Sequence, residues 1–178
     1  KEIFAKDNLS VPKTWANFIK NNDTLKKAGV IPMSVGAKDT FLLPLISEAF
    51  TSAVYGGPAF ERDVLSGNKT FEDPLYVKAI STFADMKEYM PDNVVGVSYS
   101  DSQTLFISER AAMFPGGSFE LGFFQAQNPN LKIGTFQIPP PPGSASTTGL
   151  TPTYVDGSWS LNAKSTNQAV ALNLLRWM

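Results

Sequence analysis

Apolar side chains recur at helical spacing along much of the chain, and short apolar runs separate several of these stretches. Trp15, Phe18 and Ile19 lie three and four residues apart, directly after a threonine. This spacing predicts an amphipathic helix that Thr14 caps and that ends at Gly29.

A second helical stretch covers residues 38–54, with Asp39 in its opening turn and Gly56 and Gly57 as its predicted stop. Its apolar positions fall on one stripe, which predicts that they are buried: Phe41, Leu42, Leu45, Ile46, Ala49 and Phe50. Pro44 fits only if the helix begins near residue 41 or 42, because a proline deeper in a helix costs about 3 kcal/mol.

Further helices are predicted between residues 60 and 106. A short one covers residues 60–65, and Asp101 opens another that runs through Phe106. Asp73 followed by Pro74 is typical of a helix start. The stripe after this pair predicts the buried face of its helix: Val77, Ile80, Phe83 and Ala84.

Short apolar runs predict strands at residues 30–35, 111–115 and 131–138, and another helix begins near Ser118. Helices and strands therefore mostly alternate, which indicates an α/β fold. The run PPPPG from Pro139 then breaks the chain, because neither a helix nor a central strand can continue through it.

The piece after the proline run, residues 150–178, is predicted as a strand, a turn and a helix capped by Ser165 or Thr166. A lone strand and helix cannot bury their apolar faces by themselves. We therefore expect this piece to dock on the first unit or on a domain outside the sequence.

Composition removes whole classes of chemistry. The chain has 178 residues, 43% of them hydrophobic, which suits one globular unit or one and a half. Its formal net charge of −1 and its scattered lysines give no basic surface for a nucleic-acid partner. It contains no histidine and no cysteine, so neither a Ser-His-Asp nor a Cys-His relay is available, and no metal site built on those ligands. Carboxylate chemistry or simple binding remains, and no cofactor is predicted.

The ends of the sequence predict an excerpt from a longer protein. The last helical stretch stops without a cap, and Phe4 lies in a short charged segment with no strand before it. No apolar run approaches the roughly 18 residues of a membrane span, and the first residues lack the apolar core of a signal peptide. In an excerpt, a missing signal peptide does not indicate where the protein resides.

Four segments, in this order, resemble bacterial extracellular solute-binding proteins, the group that feeds sugars to ABC importers and includes the maltose-binding type. They are VPKTWANFIKNNDTLKKAGVIPMSVGAKDTF, FEDPLYVKAI, SERAAMFPGGSF and DGSWSLNAKSTNQAVALNLLRWM. The resemblance implies a periplasmic-binding-protein-like (type II) fold, in which two α/β lobes with mixed sheets flanked by helices are joined by a hinge. Residues 1–138 would then be most of the C-terminal lobe, 139–149 the approach to the hinge, and 150–178 a strand and helix returning to the missing N-terminal lobe.

The resemblance also implies partners, a location and a mechanism. The partners would be a carbohydrate ligand and the membrane subunits of an ABC permease, and the location would be extracytoplasmic, in the periplasm or at the cell surface as a lipoprotein. The mechanism would be capture without catalysis: the ligand favours a closed state of the two lobes, which the permease recognises.

The segment GGSFE, residues 116–120, has the groups that a sugar site needs. Sugars present alternating C–H and hydroxyl patches, so they call for aromatic faces, hydroxyl acceptors and free N–H donors. Gly117 and Ser118 would supply N–H donors, Phe119 an aromatic face and Glu120 an acceptor. The alternative for Phe119 is a place in the core. The family commonly has tryptophan there, so a phenylalanine reduces the stacking face.

The other candidates also have structural alternatives. Asp39, in a stretch where the resemblance places ligand contacts, is either a ligand acceptor or a helix cap, and Phe41 is expected to be buried on its stripe. Asp156 is either a turn residue or a polar contact in the cleft, and Tyr154, on the same strand face, could reach a sugar hydroxyl. Trp159 is either a core residue or a ligand contact.

Two other functions remain open at this point. A glycosidase would use two carboxylates about 5 to 9.5 Å apart, drawn from Asp39, Asp101, Glu120 and Asp156. The second is a binder of the same fold for another solute, such as an anion, iron or a polyamine, and an anion would need arginines near helix starts. Arg62, Arg110 and Arg176 do not gather at any such start, and this argues against an anion.

Overall fold

The computed structural model describes residues 1–153 and 157–178, in which helices far outnumber strands. The α-helices are α1 (Glu2–Lys6), α2 (Trp15–Lys27), α3 (Leu42–Tyr55), α4 (Pro58–Leu65), α5 (Pro74–Asp85), α6 (Tyr99–Ile107), α7 (Glu120–Gln127) and α8 (Gln168–Trp177). The strands are β1 (Ile31–Met33) and β2 (Ala111–Met113), and two short 3-10 helices cover Met86–Tyr89 and Val94–Gly96.

The two strands form a small parallel sheet. Ile31 pairs with Ala111 and Met33 pairs with Met113, and the N–H of Ser34 extends the pairing with a 2.8 Å hydrogen bond to the Met113 carbonyl. The described sheet is therefore parallel and not mixed. Because both strands run in one direction, the loops that follow them leave from the same edge of the sheet.

The prediction of a strand at residues 131–138 is wrong. This segment forms no ladder with β1 or β2. Its backbone has other partners: the terminal ammonium of Lys1 donates to the Lys132 carbonyl at 2.6 Å. Phe136 and Ile138 still pack against the core, so the apolar pattern indicated burial correctly but not strand pairing.

The predicted cap of α2 and the predicted stop of α3 are confirmed, but α3 begins at Leu42, so the predicted start at residue 38, with Asp39 in the opening turn, is wrong. The hydroxyl oxygen of Thr14 accepts from the N–H of Asn17 at 3.2 Å, as an N-cap should. Helix α3 begins at Leu42, so Pro44 lies in its first turn, where it costs no hydrogen bond. Gly56 ends the helix with φ of 102°, a conformation that favours glycine.

The main core lies where α2 and α3 meet the sheet. Its largest fully buried apolar side chains come from both helices, from β1 and from the loop after β1: Phe18, Leu25, Met33, Val35, Leu42 and Ile46. The Phe50 ring lies between those of Phe18 and Phe83, with centroids 6.2 and 5.6 Å away, and so links α2, α3 and α5. Helix α3 is thus packed into the core directly after the loop that carries Asp39 and Phe41.

Helix α5 starts as predicted but buries a different face. The carboxylate of Asp73 accepts from the N–H of Leu75 at 2.9 Å, which confirms the cap. Of the four residues predicted to be buried, only Phe83 packs against the core, whereas Val77 and Ile80 are 55% and 49% exposed and Ala84 is exposed too. The helix packs on α3 through Ala79 and Thr82, on its opposite side, because small side chains there let the two helices approach closely.

The last described segment, residues 157–178, contains only α8, and the strand predicted before it is absent from the described residues on either side of 154–156. Asn167 occupies the cap position of α8, so the prediction of Ser165 or Thr166 as the cap is wrong. Val170, Leu174 and Trp177 are 71%, 56% and 83% exposed. Within the described residues, no helix combines the length and the hydrophobicity that crossing a bilayer requires.

Candidate functional site

The candidate site lies at the edge of the sheet where β1 and β2 both end. The loop after β1 leads through Gly36 to Asp39 and Phe41, and the loop after β2 leads to Gly117 and Phe119. In open α/β sheets, ligands bind outside the carboxyl ends of the strands, because helices cover the two faces. The parallel pairing therefore brings the two predicted site segments to one end of the fold.

A close backbone approach fixes the first loop. A side chain at Gly36 would place its Cβ 2.6 Å from the carbonyl oxygen of Val97 and 2.8 Å from that of Ser98, so only glycine fits there. The N–H groups of Ala37 and Lys38 donate to the carbonyls of Val94 and Val97 at 2.9 and 3.1 Å. The loop is thus attached to the segment that opens α6.

Asp39 is a helix cap, but for a helix distant in sequence. Its carboxylate oxygen Oδ2 accepts from the N–H of Tyr99, the first residue of α6, at 2.7 Å. At the start of α3, Phe41 takes the cap position, and its side chain makes no cap hydrogen bond. The Asp39 side chain is partly exposed, so one carboxylate both stabilises α6 and borders the open surface.

The prediction that Phe41 is buried is wrong. Its side chain is 57% exposed, because the residue precedes the first turn of α3 and so lies off the buried stripe of that helix. The ring meets Tyr99 edge to face, with the centroids 5.7 Å apart and the planes at 76°. One side of the Phe41 ring is thereby supported, and much of the rest is available to a ligand.

Phe119 also lies outside the core, since it is 56% exposed, whereas Phe124, five residues later, is only 2% exposed. Its ring lies directly over Gly117, where any Cβ would collide with it. The N–H groups of Gly117 and Ser118 have no hydrogen-bond partner within the described residues, and both residues are at least partly exposed. The segment thus provides an exposed ring beside two unpaired donors.

Glu120 has an environment that the sequence did not indicate. It is only 3% exposed, and both of its carboxylate oxygens accept hydrogen bonds from α6. The hydroxyl of Tyr99 donates to Oε1, and the amide of Gln103 donates to Oε2 at 2.8 Å. Its carboxylate is therefore buried and engaged by side chains of the protein.

Sequence reasoning missed Tyr99 and Gln103. The available signal was the segment VSYSDS, in which Ser98 and Asp101 form a capping box with bonds of 3.1 Å in each direction. That motif places Tyr99 at the first position of α6, one helical turn before Gln103. It does not indicate that α7 lies alongside, so the link to Glu120 could not be predicted.

The structure thus brings six of the predicted residues together and separates another. Asp39 and Phe41 both contact Tyr99. The hydroxyl of Tyr99 donates a hydrogen bond to Glu120, the residue that directly follows segment 117–119. Trp159 is 76% exposed, so it is not a core residue, and no contact within the described residues joins it to this surface. Tyr154 and Asp156 lie outside the described residues.

Asp101, one of the carboxylates considered for a glycosidase, is poorly suited to act as its acid. A glycosidase needs a carboxylic acid whose pKa is raised so that it can protonate the leaving group. Hydrogen bonds from the hydroxyl and the N–H of Ser98 instead hold the pKa of Asp101 below its ordinary value. Asp39 and Glu120 are bonded to the backbone and the side chain of one tyrosine. Across residues 1–153 and 157–178, no group of three carboxylates could hold a metal ion.

The chain belongs to the family of bacterial extracellular solute-binding proteins, whose sequence profile matches residues 1–178. A multiple sugar-binding protein of Streptococcus mutans serotype c is 26% identical over 190 residues, which cover the whole of this chain and 43% of the relative. The chain therefore spans less than half the length of this curated relative.

Solved structures agree with the family. The solute-binding protein RafE in complex with raffinose is 25% identical, with a TM-score of 0.75 over all of this chain and 47% of that one. A structure from work on xylan utilization by Caldanaerobius polysaccharolyticus is 26% identical, with a TM-score of 0.72 over 82% of this chain and 38% of that one. The fold is thus that of a periplasmic-binding-protein-like (type II) α/β lobe, as the sequence resemblance implies.

Proposed function

We propose that this protein is the substrate-binding component of an ABC importer and that it captures a sugar or oligosaccharide between two lobes. One observation carries the proposal: the exposed rings of Phe41 and Phe119 border the same strand ends as the carboxylate of Asp39 and two N–H groups that have no partner among the described residues. Aromatic faces, donors and an acceptor are the groups that a sugar requires. Relatives that are named for sugars support the same ligand class.

In this proposal the sugar is held and no bond in it changes. Its C–H patches pack on the rings of Phe41 and Phe119, and its hydroxyls reach Asp39 and the N–H groups of Gly117 and Ser118. The second lobe closes over the opposite face of the sugar. Because the sugar binds the closed state more tightly than the open one, its binding shifts the protein toward the closed state. Catalysis is not required for this function, and the relatives are solute-binding proteins.

We further propose that the lobes divide as the sequence resemblance implies. Residues 1–138 form most of the C-terminal lobe, 139–149 lead to the hinge, and 150–178 return to the N-terminal lobe. The exposed apolar side of α8 supports this division, because Val170, Leu174 and Trp177 find no core among the described residues. The membrane subunits of the permease would recognise the closed protein outside the cytoplasm, either in the periplasm or at the cell surface with the protein anchored as a lipoprotein.

Raffinose is the first ligand to test, because RafE binds it and aligns with the whole of this chain. We expect raffinose, or another member of a panel that includes xylo-oligosaccharides and maltose, to raise the thermal unfolding midpoint of the intact protein. A sugar at 100 times its Kd stabilises the folded state by about 2.7 kcal/mol. The measurement is a thermal-shift screen of the intact protein, including any residues that precede or follow residues 1–178.

The same screen distinguishes the alternatives. Sulfate and spermidine serve as non-sugar solutes, and nitrophenyl glycosides report any hydrolysis. Stabilisation by sugars alone, without release of nitrophenol, supports the proposal. Stabilisation by sulfate or spermidine but by no sugar would reassign the ligand class, and turnover of a glycoside would make the protein an enzyme.

A further inference from the structure

We infer that Glu120 is a positioning residue, which acts on the sugar only through Tyr99, and that Tyr99 is a third aromatic contact between Phe41 and Phe119. The inference rests on the proposed function of the site, and it changes the role of Glu120 from a sugar acceptor to a support for the aromatic surface. It also adds a ligand-contacting residue that the sequence did not suggest.

At least three contacts hold Tyr99 in place. Its N–H donates to Asp39 at 2.7 Å, its hydroxyl donates to Glu120, and its ring lies edge to face against Phe41. These contacts come from the loop after β1, which precedes α6 in the chain, and from the start of α7, which follows it. The tyrosine remains partly exposed, so its ring is both fixed in position and accessible.

The environment of Glu120 favours a supporting role. A carboxylate that is 3% exposed cannot offer an open oxygen to a sugar, and its two oxygens already accept from Tyr99 and Gln103. Within the described residues it forms no ion pair that would offset the burial of its charge. Burying an unpaired carboxylate is costly, so its hydrogen bonds to α6 must supply most of the compensation.

The consequence for binding is preorganisation. Glu120 is the first residue of α7 and directly follows Phe119, so its bonds to α6 hold the start of α7 beside Tyr99. A sugar that meets rings already fixed in place loses less free energy to the ordering of side chains. Without the carboxylate, the phenol of Tyr99 loses this hydrogen bond and the ring gains freedom.

The test is a double-mutant cycle in the intact protein, with raffinose or the most stabilising sugar of the panel as the probe in calorimetry. Glu120→Ala and Tyr99→Phe are each expected to weaken binding by about 5- to 10-fold, because a side chain that is no longer fixed in the free protein must be ordered when the sugar binds. The double variant is expected to bind about as weakly as either single variant, because both changes break the same link.

Glu120→Gln gives the conservative rescue. Its amide oxygen can accept from the Tyr99 hydroxyl, and its NH₂ can donate to Gln103 once that amide has flipped. We expect its affinity to stay within about threefold of the wild type, as for Glu72→Gln, an exposed control that removes the same charge. Unfolding midpoints are recorded for all variants, and binding is measured well below the lowest of them.

The outcomes separate this inference from the proposed function. The inference is overturned if the fold-losses in affinity of the two single variants multiply in the double variant. It is also overturned if Glu120→Gln binds the sugar as weakly as Glu120→Ala, since Glu120 would then contact the sugar itself. If the wild-type protein binds no sugar at all, the proposed function fails, and this inference fails with it. Non-additive losses with rescue by glutamine support both.

Discussion

Replacing Phe119 with alanine is expected to weaken sugar binding by the intact protein by about 10- to 100-fold, a typical loss for a central aromatic contact. The ring is 56% exposed, so its removal leaves no cavity in the core, and the unfolding midpoint should hardly change. The expected effect is thus a loss of affinity without a loss of stability. Calorimetric titration with the sugar, together with thermal unfolding of the free protein, measures both quantities.

Phe123→Ala is the matched control for this prediction. Phe123 lies in α7, four residues after Phe119, and is 41% exposed, and it lines a groove between α6 and α7 together with Ile107 and Gln127. Its truncation should leave the affinity for sugar within about threefold of the wild type. Equal losses from both variants would mean that the Phe119 ring has no special place in the site.

Replacing Leu42 with alanine is expected to lower the free energy of unfolding by about 2 to 5 kcal/mol. Leu42 is 1% exposed and begins α3 directly behind the loop that carries Asp39 and Phe41. The substitution removes buried apolar contacts and leaves a cavity that the surrounding helices fill only in part. Denaturant unfolding of the intact protein, followed by circular dichroism, measures the change.

Leu65→Ala makes the same chemical change at the end of α4, where the side chain is 87% exposed. It should alter the free energy of unfolding by no more than about 0.5 kcal/mol. A similar cost for the two leucines would contradict the position of the core between α2, α3 and the sheet.

The features that the sequence predicted well are those that local geometry decides. The cap at Thr14, the cap at Asp73 with Pro74, and the stop at Gly56 each depend on a few neighbouring residues, and each is confirmed. The same holds for the position of Pro44, because proline tolerates only the first turn of a helix. Such rules act over one or two turns, so they can be applied without knowledge of the fold.

The wrong predictions depend on partners that are distant in the sequence. The stripe of Val77 and Ile80 has helical spacing, but small residues on the other side of α5 decide how it packs on α3. Residues 131–138 have the composition of a strand, but a strand also needs a neighbour with open hydrogen-bonding groups. Periodicity indicates burial and extension, whereas pairing is settled by the whole chain.

The candidate site shows the same division. Gly117 and Phe119 could be recognised as candidate site residues because they lie two positions apart, in one short segment of the sequence. The role of Asp39 as a cap for α6 joins residues 60 positions apart, and the bond from Tyr99 to Glu120 joins residues 21 positions apart. Nothing in either local segment indicates these contacts, so both carboxylates appeared equally free to bind a ligand.

The most direct test of the account is a crystal structure of the intact protein grown with the sugar that stabilises it most. The account predicts a sugar ring within about 4 Å of the Phe119 ring and of Tyr99 or Phe41. It also predicts hydroxyls hydrogen-bonded to Asp39 and to the N–H of Gly117 or Ser118. A sugar bound elsewhere, with the rings of Phe41 and Phe119 still facing solvent, would contradict it.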